Sequence, residues 1–238
     1  MNLKIAAVAA ALLATVGTAP SAYAGYIDFT DDLWRTQQSG DSASSRTRTI
    51  GGIGNVTLQA FTSASTPGTL TFQGGVPGTP ATPCGILACD NDGVGINDDE
   101  ISFGTGNKQD VERLVVTFET AIDLAHFHFL DLFGAGATSD DPESERVQWQ
   151  INGNGPGGVF DGTAMDEVGY AVTGELGYKD VFQIEFFADT ARRSSPANTD
   201  FALAAIQTTV PSPATLLLFA GGLIALGAGT RLRAHAEI

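Results

Sequence analysis

The sequence predicts an all-β domain built as an antiparallel β-sandwich or jelly roll, flanked by an N-terminal signal helix and a C-terminal transmembrane helix. Three observations carry the β part. Glycine is frequent, at 29 of 238 residues, and the mature region shows no apolar helical period. Short alternating or continuous apolar runs recur along the chain. Gly, Pro, Asn and Asp separate those runs, as turn residues separate short antiparallel strands.

Taken in order, 55–62 reads as a strand, and 69–73 follows the Pro67-Gly68 turn. A short strand is expected at 101–103. Segments 113–118 and 122–133 read as two apolar strands of a hairpin around Glu119-Thr120-Ala121. Strand 146–151 ends at Asn152-Gly153, 169–172 ends near Gly174, and 201–208 is the last strand. The continuous apolar run 182–187, within strand 181–188, suits an inner strand covered on both faces. Three segments read as loops: polar 39–45, Gly/Pro/Thr-rich 74–83, and 135–145 with its Asp140-Asp141-Pro142-Glu143 run. No internal repeat is visible. The length of 25–209 suits one domain with a core of its own.

The ends of the chain carry a different pattern. Lys4 precedes an apolar run over 5–16, Pro20 interrupts it, and Ala22-Tyr23-Ala24 places small residues at both positions that a signal peptidase reads. That order predicts a signal peptide over 1–24, with cleavage after Ala24 leaving Gly25 first. At the other end no charged residue occurs between Val210 and Thr230. At ~1.5 Å per residue an apolar helix over about 214–230, with its uncharged flank, reaches the roughly 30 Å of a bilayer core. Arg231 and Arg233 follow at once, which favours the cytoplasmic side for that end and export for the domain. The signal peptide directs the domain the same way.

The tail itself resembles a PEP-CTERM sorting segment. The residues that carry the likeness are Val210-Pro211-Ser212-Pro213, the apolar helix with Gly221-Gly222, and the terminal Arg231-Leu232-Arg233. Ser212 stands where the usual motif has Glu, and Leu232 interrupts the basic cluster. The resemblance covers 210–238. It implies export in a Gram-negative bacterium, recognition by an exosortase-type enzyme, and removal of the tail on the way to the cell surface or extracellular matrix. The order Gly93-Val94-Gly95-Ile96, Asp98-Asp99-Glu100-Ile101, Leu114-Val115-Val116-Thr117-Phe118 and Ile122-Asp123-Leu124 is loosely similar to unassigned β-sandwich domains that precede such tails.

Of the 27 acidic residues all but Glu237 fall within 25–209, and of the 12 basic ones all but Lys4, Arg231 and Arg233, leaving 26 against 9 and a formal charge of −17. A domain so acidic disfavours nucleic acid as a partner, because phosphate binding needs a basic surface. It suits a solvated exported protein and divalent cations. Cys84 and Cys89, the only cysteines, share one Gly/Pro-rich loop and are expected to form a disulfide after export.

The densest polar cluster holds Asp90, Asp92, Asp98, Asp99 and Glu100, and such a loop could wrap oxygen ligands around calcium. It is not an EF-hand. With Asp90 as position one, Val94 falls at five and Ile101 at twelve, where ligands are required. No cofactor beyond this calcium is expected. His126 and His128 lie two apart and would share one strand face, so both could approach a metal if an acid from elsewhere completed the set. Trp34, Trp149, Tyr170 and Tyr178 could make a sugar-stacking platform. No nucleophile elbow, cysteine–histidine neighbourhood or phosphate loop is present.

Three functions follow in order. The first is a non-enzymatic cell-surface or matrix protein. The second is a carbohydrate-binding module for exopolysaccharide, organised by loop aromatics and calcium. The third is a hydrolase that needs His126, His128 and an acid to converge.

Overall fold

The computed structural model describes residues 25–63, 65–72, 84–98, 100–102, 111–137, 143–165, 168–188 and 200–209. Among them run the strands β1 (Tyr26–Asp28), β2 (Ser45–Ile50), β3 (Gly54–Phe61), β4 (Leu70–Thr71), β5 (Gly95–Ile96), β6 (Arg113–Leu130), β7 (Arg146–Ile151), β8 (Gly157–Asp161), β9 (Ala171–Val172), β10 (Tyr178–Ala188) and β11 (Ala202–Thr208). One four-residue helix, α1 (Asp32–Arg35), is capped by the Asp31 side chain. The strand pairings are antiparallel, so the domain is all-β. The segments expected to be a signal peptide and a membrane helix lie outside the described residues.

Strand β6 organises the sheet, and it corrects the sequence reading. A hairpin was expected at Glu119-Thr120-Ala121, but all 18 residues from Arg113 to Leu130 form one strand. A tight hairpin needs residues that accept positive φ, and this tripeptide offers none of the usual ones. The chain instead stays extended and exchanges neighbours. As far as Phe118 it pairs with β3, and from Leu124 onward it pairs with β11. β10 and then β9 follow each other along its other edge. Glu119 and Thr120 are exposed where the pairing with β3 has stopped and that with β11 has not begun. Register shifts opposite β10 and β11 mark bulges, which raise local twist and let one strand serve two sets of partners.

The first half of β6 thereby sits inside the antiparallel path β2–β3–β6–β10–β7–β8, while the second half carries β11 and, beyond it, β1. β4 and β5 form a separate two-stranded ladder. Val94 ties the segment before β5 to β11 through two backbone hydrogen bonds with Leu203, at 3.0 and 3.2 Å. Gly93 permits that approach: its φ is +99°, and a Cβ there would overlap the Leu203 carbonyl.

The main core lies on one face of this sheet. Phe127, Phe129, Trp149 and Phe186 meet there edge to face, the Phe127–Phe186 centroids being 4.8 Å apart. Truncating a phenylalanine so placed costs about 3–5 kcal/mol. A smaller cluster on the reverse side gathers Leu130, Ala202, Ala204 and Ala205 with Leu87 and Val168. β11 is therefore buried on both faces, which explains its unbroken apolar sequence.

Leu87 belongs to the loop closed by the Cys84–Cys89 disulfide, whose Cα atoms are 5.5 Å apart. That loop is fastened to the N-terminal strand region: Ala88 N donates to Asp28 Oδ2 at 2.7 Å and Cys89 N to Thr30 Oγ1 at 2.9 Å. Tyr26–Thr209 make one compact unit.

Strands β1, β2, β5 and β8 are not among those read from sequence. β2 is the instructive case, because its inward positions are Arg46 and Arg48 rather than apolar residues. Arg48 donates to the carbonyls of Leu33 and Thr36 at 2.8 and 2.5 Å and pairs with Asp41 at 2.9 Å. Arg46 donates to the Trp34 carbonyl and lies 4.4 Å from the Phe72 ring centroid. Two buried guanidiniums thus hold α1 against the sheet. Other boundaries also differ: Ser45 already begins β2, the strand expected at 69–73 is Leu70–Thr71, and Ile101 and Ser102 are not in a strand.

Candidate ligand-binding face

Alternation along the strands turns one set of side chains away from the main core. On the path from β2 to β8 the register aligns these outward residues into rows. One row runs Ser45, Gln59, Val115, Glu185, Gln150 and Gly157. The next runs Phe61, Arg113, Phe187, Gln148 and Val159, and a third holds Thr47, Thr57, Thr117 and Gln183. Hydroxyls and amides dominate. The charged side chains in and beside these rows are matched: Arg113 pairs with Glu185 and lies 4.6 Å from the Phe61 centroid, and Arg146 pairs with Asp161 through Nε and, at 2.9 Å, through Nη2, while Glu119 at the end of the face accepts from Asn55 N. In a domain of formal charge −17, this face is close to neutral.

At its β7–β8 end the face dips. Gly157 stands opposite Gln150 and supplies no side chain, and a concavity of about 380 Å³ is lined by Gln148, Gln150, Gly155, Gly157, Gly158, Val159 and Phe187 together with Trp149. Trp149 is only 5% exposed, and its indole Nε1 is buried with no hydrogen-bond partner. The ring lies so close over Gly158 that a Cβ there would overlap it. The ring and Gly158 both lie on the core side of β7 and β8, so this N–H faces away from Gln148 and Gln150.

The residues singled out from sequence are placed as follows. Asp90 and Asp92 precede β5, and Asp98 and Glu100 follow it; Asp99 lies outside the described residues. The extended backbone of β5, held by Leu70 on one side, separates the two pairs. Asp90 Oδ2 accepts from Asp32 N at 3.5 Å, and Asp98 Oδ1 accepts from Glu100 N at 3.3 Å. Among the described residues no three His, Cys, Asp or Glu side chains stand close enough to hold a metal ion.

His126 and His128 are each tied elsewhere. Nδ1 of His126 is 2.9 Å from the Thr173 carbonyl, and Nδ1 of His128 is 2.8 Å from the Tyr170 hydroxyl, with its Nε2 3.5 Å from Gln207 Oε1. Burial lowers the pKa of His128 and pushes Tyr170 up to about 12, so both are neutral at pH 7. The four aromatics do not make an exposed platform. Trp34 and Trp149 are core residues, Tyr178 packs against that core and Tyr170 against the smaller cluster. Gly25 lies at the start of the described residues; Ala22, Ala24, Val210, Pro211, Ser212, Pro213, Arg231 and Arg233 lie outside them.

Glu112 had no signal in the sequence, being a lone acid before a strand. It is buried and accepts from Asn97 Nδ2 at 2.8 Å and Ser102 N at 3.0 Å, joining the segment after β5 to the start of β6. Burial is the main cause that pushes its carboxyl up to about 7; Asp98 adds to the shift and the hydrogen bonds oppose it.

Comparison with known proteins brings out no relative: no family model, no curated protein and no solved structure matches this chain.

Proposed function

We propose that the protein is an exported cell-surface or extracellular-matrix protein, held in the membrane by the helix at about 214–230 and sorted by an exosortase-type enzyme at Val210-Pro211-Ser212-Pro213. The domain works there without catalysis, as a sandwich- or jelly-roll-like module. Two features support export. The disulfide belongs to an oxidising compartment, and β1 begins at Tyr26, two residues after the expected signal cleavage.

The observation that carries the reading of the domain is its neutral, hydroxyl- and amide-lined outer face. Exopolysaccharide binding is therefore the second reading, placed on this face rather than on Trp34, Trp149, Tyr170 and Tyr178. Mass spectrometry of the mature protein from its native cell tests the sorting. A first residue at Gly25 and a last residue near 211–214 are expected. An intact tail through Ile238 would leave a membrane anchor and no exosortase step. Pull-down of exopolysaccharide from the same cells tests the partner, and failure to co-purify would leave a surface protein of another kind.

A further inference from the structure

We infer that the outer face of the β2–β8 sheet is a binding site for an uncharged polysaccharide, with the concavity at Gly157 and Gly158 as one sugar subsite and Phe187, Arg113 and Phe61 extending it across the strands. The assignment rests on the exopolysaccharide reading and gives it a place and a ligand class.

Charge decides the class. The domain's formal charge of −17 repels an anionic glycan, and the cations of this face, Arg113 and Arg146, are already paired with Glu185 and Asp161. Nothing in the rows offers a carboxylate or sulfate an unpaired counter-charge. An uncharged sugar needs donors and acceptors in fixed array instead, and Gln148, Gln150, Gln183 and Gln59 present both through their amides. Strand spacing of about 4.8 Å sets the array, close to the length of one pyranose unit, so a chain crossing the strands meets a new row member at each residue.

The concavity supplies what a flat sheet lacks. At Gly157 a Cβ would overlap the Trp149 carbonyl oxygen, so glycine there brings the β8 backbone close to β7 and leaves the floor between Gln148 and Gln150 without a side chain. Phe187 and the exposed Val159 give the apolar contact that the C–H face of a sugar ring prefers. Arg113 stays available for contact as a guanidinium plane over Phe61, its charge held by Glu185.

Affinity electrophoresis of the mature protein, purified from exporting cells, tests this. The probes are neutral glucans, galactans, mannans and xylans, with alginate as the anionic arm. Retardation by at least one neutral polysaccharide is expected, unchanged by raised salt, with none by alginate. Gln148→Ala combined with Gln150→Ala should weaken it about tenfold or more, as loss of two amide contacts implies. Val172→Ala, at an exposed site on β9, should leave it unchanged. Melting curves identify any variant that fails to fold, and Gln59→Ala, farther along the same face, then replaces it. Neutral binding that survives both face variants overturns this placement and leaves exopolysaccharide binding standing. Retardation by alginate alone overturns the ligand class, and no retardation by any probe overturns both.

Discussion

Replacing Glu112 with glutamine will flatten the dependence of stability on pH between about pH 5 and 8. Burial raises this carboxyl from 4.5 to about 7 in the folded protein. Between those values the folded state holds a proton that the unfolded chain has released. Stability therefore falls as pH rises through the window, and the penalty is absent below it. At about 1.4 kcal/mol per unit the shift corresponds to about 3 kcal/mol, and solvent screening around a loop carboxyl brings that nearer 2 kcal/mol.

For a domain of this size the effect is a fall of about 4–8 °C in Tm between pH 5 and 8. Glutamine carries no charge to desolvate, although it can accept from only one of Asn97 Nδ2 and Ser102 N, a cost of about 1 kcal/mol. The variant should be less stable than the parent at pH 5 and equal or more stable at pH 8. Thermal unfolding by circular dichroism across that range reads the slope. A Glu112→Gln protein that keeps the parental slope would refute the assignment to this residue.

Two further perturbations probe the packing. Arg48→Ala leaves Asp41 without its partner and the carbonyls of Leu33 and Thr36 without a donor, so denaturant unfolding at pH 7 should show a loss of about 3–5 kcal/mol. The guanidinium holds Asp41 at about 2, so that pair stabilises above the ordinary carboxylate range and is lost as pH falls toward 2; the variant should lack this acid limb. Gly158→Ala forces a methyl group into the Trp149 ring and should cost about 1–3 kcal/mol, with a change in near-ultraviolet circular dichroism as the indole moves. A parental spectrum and melting curve would show that the ring has room to spare.

Several elements were legible because their apolar pattern matches their burial. Val56, Leu58 and Ala60 of β3 alternate inward, and so do Val147, Trp149 and Ile151 of β7. Run 182–187 was expected to be covered on both faces, but in β10 only Ile184 and Phe186 of that run are buried and Phe182 is 53% exposed; the doubly covered strand is β11. The pattern fails where another force fills an inward position. β2 hides behind Arg46 and Arg48, whose burial is tolerated because carbonyls of α1 and, for Arg48, Asp41 receive their donors. The break in β6 was misread because Glu119 and Thr120 are polar where the ladder partner changes from β3 to β11, with Glu119 accepting from Asn55 N, and not because the chain turns.

Composition and local order alone specify an acidic, glycine-rich β domain and raise the expectation of export signals at its two ends, since strand period, signal-peptide grammar and span length are properties of contiguous residues. The outer face is another matter. Gln59, Glu185 and Gln150 lie far apart in the chain and share a row through register. The burial of Trp149, and the separation of the Asp90 and Asp98 clusters by β5, likewise follow from pairing with distant strands. A site made of one residue per strand leaves no contiguous motif, so the fold had to be seen before the face could be.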